Sequence, residues 1–183
     1  MSTLPAGLTA GTWTIDASHS EIGFSVRHAM ISKTRGRFGA VEGTVVAGES
    51  LESTVVNISI PVASLDTRDD NRDGHLRSGD FFDAETHPSI TFVSTSVAPK
   101  GDDVEVTGDL TIRDVTKSIT MVAEFNGTAT DPFGNNRAGF TAETEIDRKE
   151  FGLTWNAALE TGGVLVGDKV KIHLDVEFTA AQA

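Results

Sequence analysis

Asp73 and His75 stand two residues apart in the stretch 63–88, which is rich in charged and aromatic residues. A carboxylate that orients an imidazole is an arrangement of general-base catalysis, so this pair suggests hydrolysis of a phosphorylated or ester substrate. The other interpretation is a structural pair that fixes the long stretch in place. The sequence has no Gly-x-Ser-x-Gly elbow, no phosphate-binding glycine loop and no cysteine. We therefore expect a protein that is not an enzyme, with hydrolysis through Asp73 and His75 as the alternative.

Basic residues are concentrated in the segment 27–37, which contains no acidic residue. Arginine forks suit phosphate oxygens, so these side chains are candidates for an anionic headgroup. The other interpretation is a set of solvated ion pairs, each of which contributes little energy. If the protein binds a ligand with an anionic headgroup, we predict four residues at that headgroup or at the mouth of the binding cavity. These are Arg35 and Arg37 from this segment, and Arg72 and His75 from the stretch 63–88.

The remaining histidines give no metal signature. A zinc site needs three or more converging ligands, whereas no two histidines stand at His-x-x-x-His spacing and cysteine is absent. The sequence predicts no metal site and no cofactor. His28 continues the inward phase of Phe24 and Val26, so it is expected either to donate a hydrogen bond to a bound oxygen or to be buried against a backbone carbonyl.

Alternating apolar and polar residues must supply the scaffold that positions these groups. From Val104 to Ile112, and again from Val170 to Phe178, every second residue is apolar or glycine, which is typical of strands with one dry and one wet face. Eight antiparallel strands can close into an up-and-down barrel that holds one small ligand. We predict an all-β, eight-stranded lipocalin-like barrel with a long, partly helical 63–88 connection. The predicted strands are 12–28, 34–47, 53–62, 89–98, 103–113, 116–129, 136–147 and 167–179.

The inward faces of these strands carry several small residues, among them Gly108, Ala123, Ala138 and Ala142. Small inward side chains leave room for a ligand, or they face bulky residues across a packed core, and the pattern is compatible with both. The side chains that we predict to line a ligand-binding lumen are Phe24, Val26, His28, Phe38, Ile58, Ile60, Phe92, Leu110, Met121, Phe125, Phe140, Ala142 and Leu174.

Composition limits the partners and the domain count. The 183 residues fit one domain, 12–180, preceded by a flexible extension, 1–11. The net charge of −12 disfavours nucleic acid and an anionic membrane surface as partners. No apolar run reaches the roughly 18 residues of a membrane span, so stable membrane insertion is not expected. The first residues lack the basic start and apolar stretch of a secretory signal, which predicts a cytoplasmic protein.

Short motifs along the chain carry a family resemblance. Arranged in order over residues 12–179, they resemble the YceI-like family of polyisoprenoid-binding proteins, with one departure at Asp114, where the family more often has glycine. The resemblance implies a lipocalin-like barrel that sequesters or transports a long-chain isoprenoid lipid, of polyprenyl phosphate or quinone type, and a possible homodimer. The motifs include Trp13-Thr14-Ile15-Asp16, Gly36-Arg37-Phe38, Ser64-Leu65-Asp66-Thr67, Arg72-Asp73-Gly74-His75-Leu76, Phe81-Phe82-Asp83, Gly108-Asp109-Leu110-Thr111-Ile112 and Val166-Gly167-Asp168.

Overall fold

The computed structural model describes residues 1–182, and these form one antiparallel sheet of eleven strands with one short α-helix. Four single 3₁₀ turns interrupt or join the strands, at Ala17–His19, Leu51–Ser53, Val62–Ser64 and Arg148–Phe151. No helix within 1–182 is long and apolar enough to cross a membrane. The strands are β1 (Gly11–Ile15), β2 (Glu21–His28), β3 (Ser32–Phe38), β4 (Glu42–Ala47), β5 (Val55–Pro61), β6 (Leu65–Asp66), β7 (Ser89–Lys100), β8 (Asp103–Ile112), β9 (Val115–Thr130), β10 (Asn136–Asp147) and β11 (Val166–Ala180), and the helix α1 is Asp70–Arg77.

The sheet closes into a barrel through the pairing of β1 with β11, in which Trp13 lies opposite Ala180. The closed ring contains eight strands in the order β1, β4, β5, β7, β8, β9, β10 and β11. The predicted all-β, eight-stranded antiparallel barrel is therefore confirmed. Its first two predicted strands are each divided, into β1 and β2 and into β3 and β4. The β2–β3 ribbon extends the wall, with β2 paired to β11 and β3 paired to the short β6.

The division between β1 and β2 has a local cause. The Asp16 carboxylate accepts a hydrogen bond from the Ser18 backbone N–H at 3.0 Å, which caps the 3₁₀ turn that follows β1. The turn rotates the chain, so that the inward phase of Trp13 and Ile15 resumes at Ile22 after a shift. This is the corner that the break in the alternation predicts.

The 63–88 connection folds over one end of the barrel, which we call the α1 end. Helix α1 begins at Asp70 because the Asp69 carboxylate accepts from the Arg72 N–H at 3.0 Å. Beyond the helix, Phe81 is buried and packs with Ile90 and Phe151 from the barrel. The partly helical connection predicted from the sequence is thus anchored by Phe81, and Leu76 and Phe82 pack against the same cluster.

The opposite end is covered by part of the N-terminal segment. Leu4 and Leu8, which lie in the stretch expected to be a flexible extension, pack against the barrel core. The indole N–H of Trp13 donates to the Thr9 carbonyl at 3.0 Å, and the Ser2 hydroxyl donates to Glu52 at 2.8 Å. Two apolar side chains and these hydrogen bonds hold 1–11 against the barrel.

Candidate ligand cavity

A cavity of about 290 Å³ lies inside the barrel. Side chains from every strand except β6 contribute to its wall. Pro5 and Leu8 lie at the end of the barrel that the N-terminal segment covers. Leu76, Phe81 and Phe82 from the 63–88 connection lie at the α1 end. The cavity is therefore elongated and runs between two covered ends.

The wall of this cavity is almost wholly apolar. Among the residues that line it, only Thr54, Thr144 and Arg148 carry a polar side chain besides Trp13, and the Trp13 indole N–H is already bonded to a backbone carbonyl. Water in such a space finds too few partners, because a buried water typically makes about three hydrogen bonds. The geometry suits a long apolar molecule.

Two glycines of the barrel wall, Gly36 and Gly108, do not create this space. The Phe24 ring lies over Gly36 of the neighbouring strand, and the Phe92 ring lies over Gly108. A Cβ atom at either glycine would come within 2.4 Å of the ring above it. Both glycines are thus covered by neighbouring aromatic rings, whereas the inward alanines of β9 and β10 line the cavity.

Arg148 is a buried cation at the α1 end, with only 4% of its surface exposed. Its Nε donates to the Gly167 carbonyl at 2.8 Å, and its Nη1 donates to the carbonyls of Leu153 and Trp155 at 2.6 and 2.9 Å. A fourth bond joins Nη2 to the Val166 carbonyl at 3.3 Å. Burial lowers the pKa of this guanidinium. Because its donors are directed at carbonyl oxygens, Arg148 holds the 152–167 loop against the barrel end.

The barrel wall has a gap between β9 and β10 near the α1 end. The register of these strands ends at Glu143 opposite Val122, although β10 continues beside β11 to Asp147 and β9 continues beside β8 to Val115. A second cavity of about 320 Å³ lies in this gap. The residues shared by the two cavities are Ile119, Thr144, Ile146 and Phe151.

A barrel of this topology, with both ends covered and an apolar interior, can be compared with known proteins. A family model described as the YceI-like domain matches residues 13–178. The chain belongs to the YceI-like family. It is 38% identical to a UPF0312 protein of Staphylococcus aureus (strain USA300), over 93% of this chain and 98% of that protein.

Solved structures of the YceI-like barrel also resemble this one. Burkholderia cenocepacia BcnA has a TM-score of 0.77 and 25% identity, covering 89% of this chain and 98% of that chain. A polyisoprenoid binding domain from Saccharophagus degradans, implicated in plant cell wall breakdown, has a TM-score of 0.72 and 17% identity, covering 92% and 98%. At that identity the second likeness shows the shared fold.

Eleven of the thirteen predicted lumen side chains line the cavity of this YceI-like barrel. His28 does not: it is exposed near the tip of the β2–β3 ribbon, where the register with β11 shifts between Val170 and Val166. Phe125 is half-buried and packs on the Phe140 ring, with centroids 5.3 Å apart. Sequence periodicity missed the loop residues of the wall, for which the Phe81-Phe82 pair was the available signal. Those residues are Pro5, Leu8, Leu51, Thr54, Leu76, Phe81, Phe82, Arg148, Phe151 and Leu153.

The pairing of Asp73 with His75 is wrong, both as a general base and as a structural pair. The buried Asp73 carboxylate accepts hydrogen bonds from the backbone N–H and hydroxyl of Thr67. His75 lies on another face of α1, where its Nε2 is 2.9 Å from Asp80 and its ring meets Trp155 edge to face at 4.6 Å. Two residues along a helix do not face each other, which explains the separation. Each side chain stabilises the 63–88 connection separately.

The predicted mouth arginines occupy different environments. Arg72 donates from Nε to the Thr67 hydroxyl at 2.8 Å and from Nη2 to the Thr67 carbonyl at 2.6 Å. Arg35 and Arg37 are exposed on the outer side of β3, with Arg37 3.7 Å from Asp66. The structure does not bring these arginines together at the cavity.

A separate ion-pair network fastens the corner after β1 to the barrel. Arg137 Nη1 lies 2.7 Å from both Asp16 and Glu177, and its Nε lies 2.8 Å from Asp131. Hydrogen bonds from Ser18, Arg137 and His19 hold the pKa of Asp16 well below its usual range. Asp16, His19 and Glu177 also approach one another closely enough to share a cation. The guanidinium of Arg137 already supplies that positive charge.

Proposed function

We propose that this protein binds a long, single-chain isoprenoid lipid inside its barrel and thereby sequesters or transports it. The observation that carries the proposal is the elongated cavity whose wall has three polar side chains besides Trp13. The polyisoprenoid binding domain of Saccharophagus degradans, which shares the fold, supports this ligand class. A branched, flexible chain also suits a wall built from Leu, Ile, Val and Phe side chains.

Burial of the tail is sufficient to drive binding. Each CH₂ group removed from water contributes about 0.8 kcal/mol, so a five-carbon isoprene unit contributes roughly 4 kcal/mol before the costs of ordering. Several units therefore yield useful affinity without polar contacts. The headgroup then determines which isoprenoid is preferred more than it determines the binding affinity.

The contacts at the α1 end favour an uncharged headgroup, such as a quinone or an alcohol. Arg72 and Arg148 bond backbone carbonyls, and Arg77 donates to the Leu65 carbonyl at 2.6 Å. A buried phosphate needs several donors to replace its water. The exposed pair Arg35 and Arg37 is the place on the outer wall where a phosphate headgroup would have to be held instead.

The gap between β9 and β10 is the proposed route for the lipid. It lies between the interior and the second cavity, and the same four side chains line both spaces. The outer side of the second cavity carries exposed polar residues. A tail that enters here crosses the wall without displacing α1.

The first experiment is organic extraction of the purified protein, followed by mass spectrometry and by titration of the lipid-free protein with a polyprenol, a quinone and a polyprenyl phosphate. We expect an isoprenoid in the extract, and uncharged ligands that bind at least as tightly as the phosphate. Arg35→Gln combined with Arg37→Gln is expected to change none of these affinities. A selective loss of phosphate binding in that variant would contradict the uncharged headgroup, and failure of all three ligands to bind would contradict the function itself.

A further inference from the structure

The turn that joins β2 to β3 has a backbone conformation that is unfavourable for the residues in it. Ala29 and Met30 both lie at positive φ, at 50° and 62°, and the Ile31 N–H donates to the His28 carbonyl at 3.1 Å. Two consecutive residues at positive φ form the tight turn for which Asn-Gly is preferred, because a Cβ atom strains this conformation. Residues in strained conformations of this kind are concentrated at functional sites of proteins.

The same turn exposes large apolar side chains. Met30 is 65% exposed and Ile31 is 84% exposed. The adjoining 157–165 loop adds Val164, and the two loops are joined by the Ala29 N–H, which donates to the Leu165 carbonyl at 2.7 Å. We call Met30, Ile31 and Val164 the apolar tip. It stands at the α1 end, where Val164 is two residues from Val166 and Met30 is four residues from Val26, both of the cavity wall.

Positive charge surrounds the apolar tip. Arg27 lies directly opposite Lys33 in the β2–β3 register, and Arg35 lies two residues further along. Like charges opposite each other on a sheet are destabilising. Within residues 1–182 these three side chains form no ion pair. The 157–165 loop contributes one acid, Glu160.

We propose that the apolar tip docks this protein on an anionic lipid bilayer, with Arg27, Lys33 and Arg35 against the lipid headgroups. Strain, exposed apolar surface and opposed like charges are each unfavourable in water. An anionic bilayer has a negatively charged surface and an apolar interior. It therefore compensates for the opposed like charges and for the exposed apolar surface. The remainder of the chain is acidic, as the net charge of −12 shows, so the basic residues around the tip are a local exception that is complementary to anionic headgroups.

The net negative charge does not prevent this docking. At physiological ionic strength the Debye length is about 8 Å, so charges further from the membrane are largely screened. The barrel is much longer than this, since β9 alone has 16 residues. The local charge of the tip therefore determines the interaction. Docking concerns the outer surface and stands independently of the proposed isoprenoid.

The test is co-sedimentation of the full chain with vesicles of phosphatidylcholine, with and without phosphatidylglycerol. We expect binding to the anionic vesicles alone, and binding that weakens as salt is raised. Met30→Gly with Ile31→Thr removes the apolar part and relieves the strained turn, so this variant is expected to lose binding while its melting temperature stays equal or rises. Arg27→Gln, Lys33→Gln and Arg35→Gln together should weaken binding by about fivefold per charge.

Phe133 supplies the matched control. It is 86% exposed in the turn after β9, at the opposite end of the barrel and beside Asp131. Phe133→Ser is expected to leave vesicle binding unchanged. The proposal is overturned if the parent protein fails to sediment at low salt, if Phe133→Ser reduces binding as much as the tip variants, or if the tip variants instead abolish self-association in vesicle-free solution.

Discussion

The Phe24 ring lies directly over Gly36 across the β2–β3 pair, and a Cβ atom on Gly36 would come within 2.4 Å of Phe24 Cζ. Gly36→Ala therefore has to push this ring toward the cavity. We expect a loss of about 0.5–1.5 kcal/mol in the free energy of unfolding, the usual cost of holding a side chain away from its preferred rotamer, measured by urea denaturation. Gly139→Ala is the control, because its Cβ would lie 3.6 Å from Asn126, an ordinary contact. Equal stability of the two variants would contradict the close packing.

Arg148→Met is expected to be strongly destabilising. It leaves the carbonyl oxygens of Gly167, Leu153 and Trp155 without this donor, whereas the Val166 carbonyl keeps its bond from the Asn156 amide. An orphaned buried polar group costs about 1–3 kcal/mol. We expect a loss of at least about 3 kcal/mol by urea denaturation. The neighbouring Lys149 is half exposed and pairs with Asp168 at 3.2 Å, so Lys149→Met should lose less than about 1 kcal/mol. Similar losses would show that Arg148 does not hold the loop.

Acid should destabilise the protein in part through Asp16. Because hydrogen bonds lower the pKa of Asp16 in the folded state, its contribution is fully present above its ordinary value of 3.8 and is lost as pH falls below that value. In Asp16→Asn this contribution is absent. The decrease in the free energy of unfolding from about pH 6 to about pH 3 should therefore be smaller in the variant than in the parent. The exposed Asp114→Asn is the control, and identical pH profiles for Asp16→Asn and the parent would contradict the network.

The strands and the barrel follow from the sequence because alternation marks one dry face on each strand. Val104 to Ile112 and Val170 to Phe178 alternate without interruption, and the structure places both in long strands. The corner at Asp16 also follows, since the phase of the apolar residues shifts there. Most lumen positions can be predicted for the same reason.

The contacts of single polar side chains do not follow from the pattern. His75 pairs with Asp80 rather than Asp73 because the helix turns the two residues to different faces. The carbonyl partners of Arg148 come from a loop with no periodicity. The gap between β9 and β10 is also invisible in the sequence, since both strands keep their alternation through it.

A disulfide across that gap tests the proposed route. Continuing the register past Glu143 and Val122 places Glu145 opposite Thr120. The chain has no cysteine, so Thr120→Cys with Glu145→Cys supplies one defined pair. Oxidation should slow the uptake of a polyprenol, and reduction should restore it, as measured by the stopped-flow change in the fluorescence of Trp13, which lines the cavity.

The control pair, Val122→Cys with Glu143→Cys, lies where the strands are already paired. Its oxidation is expected to leave uptake unchanged. If the gap pair does not oxidise, a short bis-maleimide can bridge it. Uptake that is equally fast with the gap bridged would contradict the route.

Ala142→Phe tests the central claim, that the barrel interior is a lipid cavity, most directly. Ala142 lines the cavity and lies opposite Ala123 on β9 and Leu174 on β11. The account predicts that the lipid-free variant melts within about 2 °C of the parent, because the ring enters open space, and that titration with a polyprenol shows a sharp loss of binding. A large fall in the melting temperature, as overpacking of a solid core would produce, or unchanged polyprenol binding at unchanged stability, would contradict it.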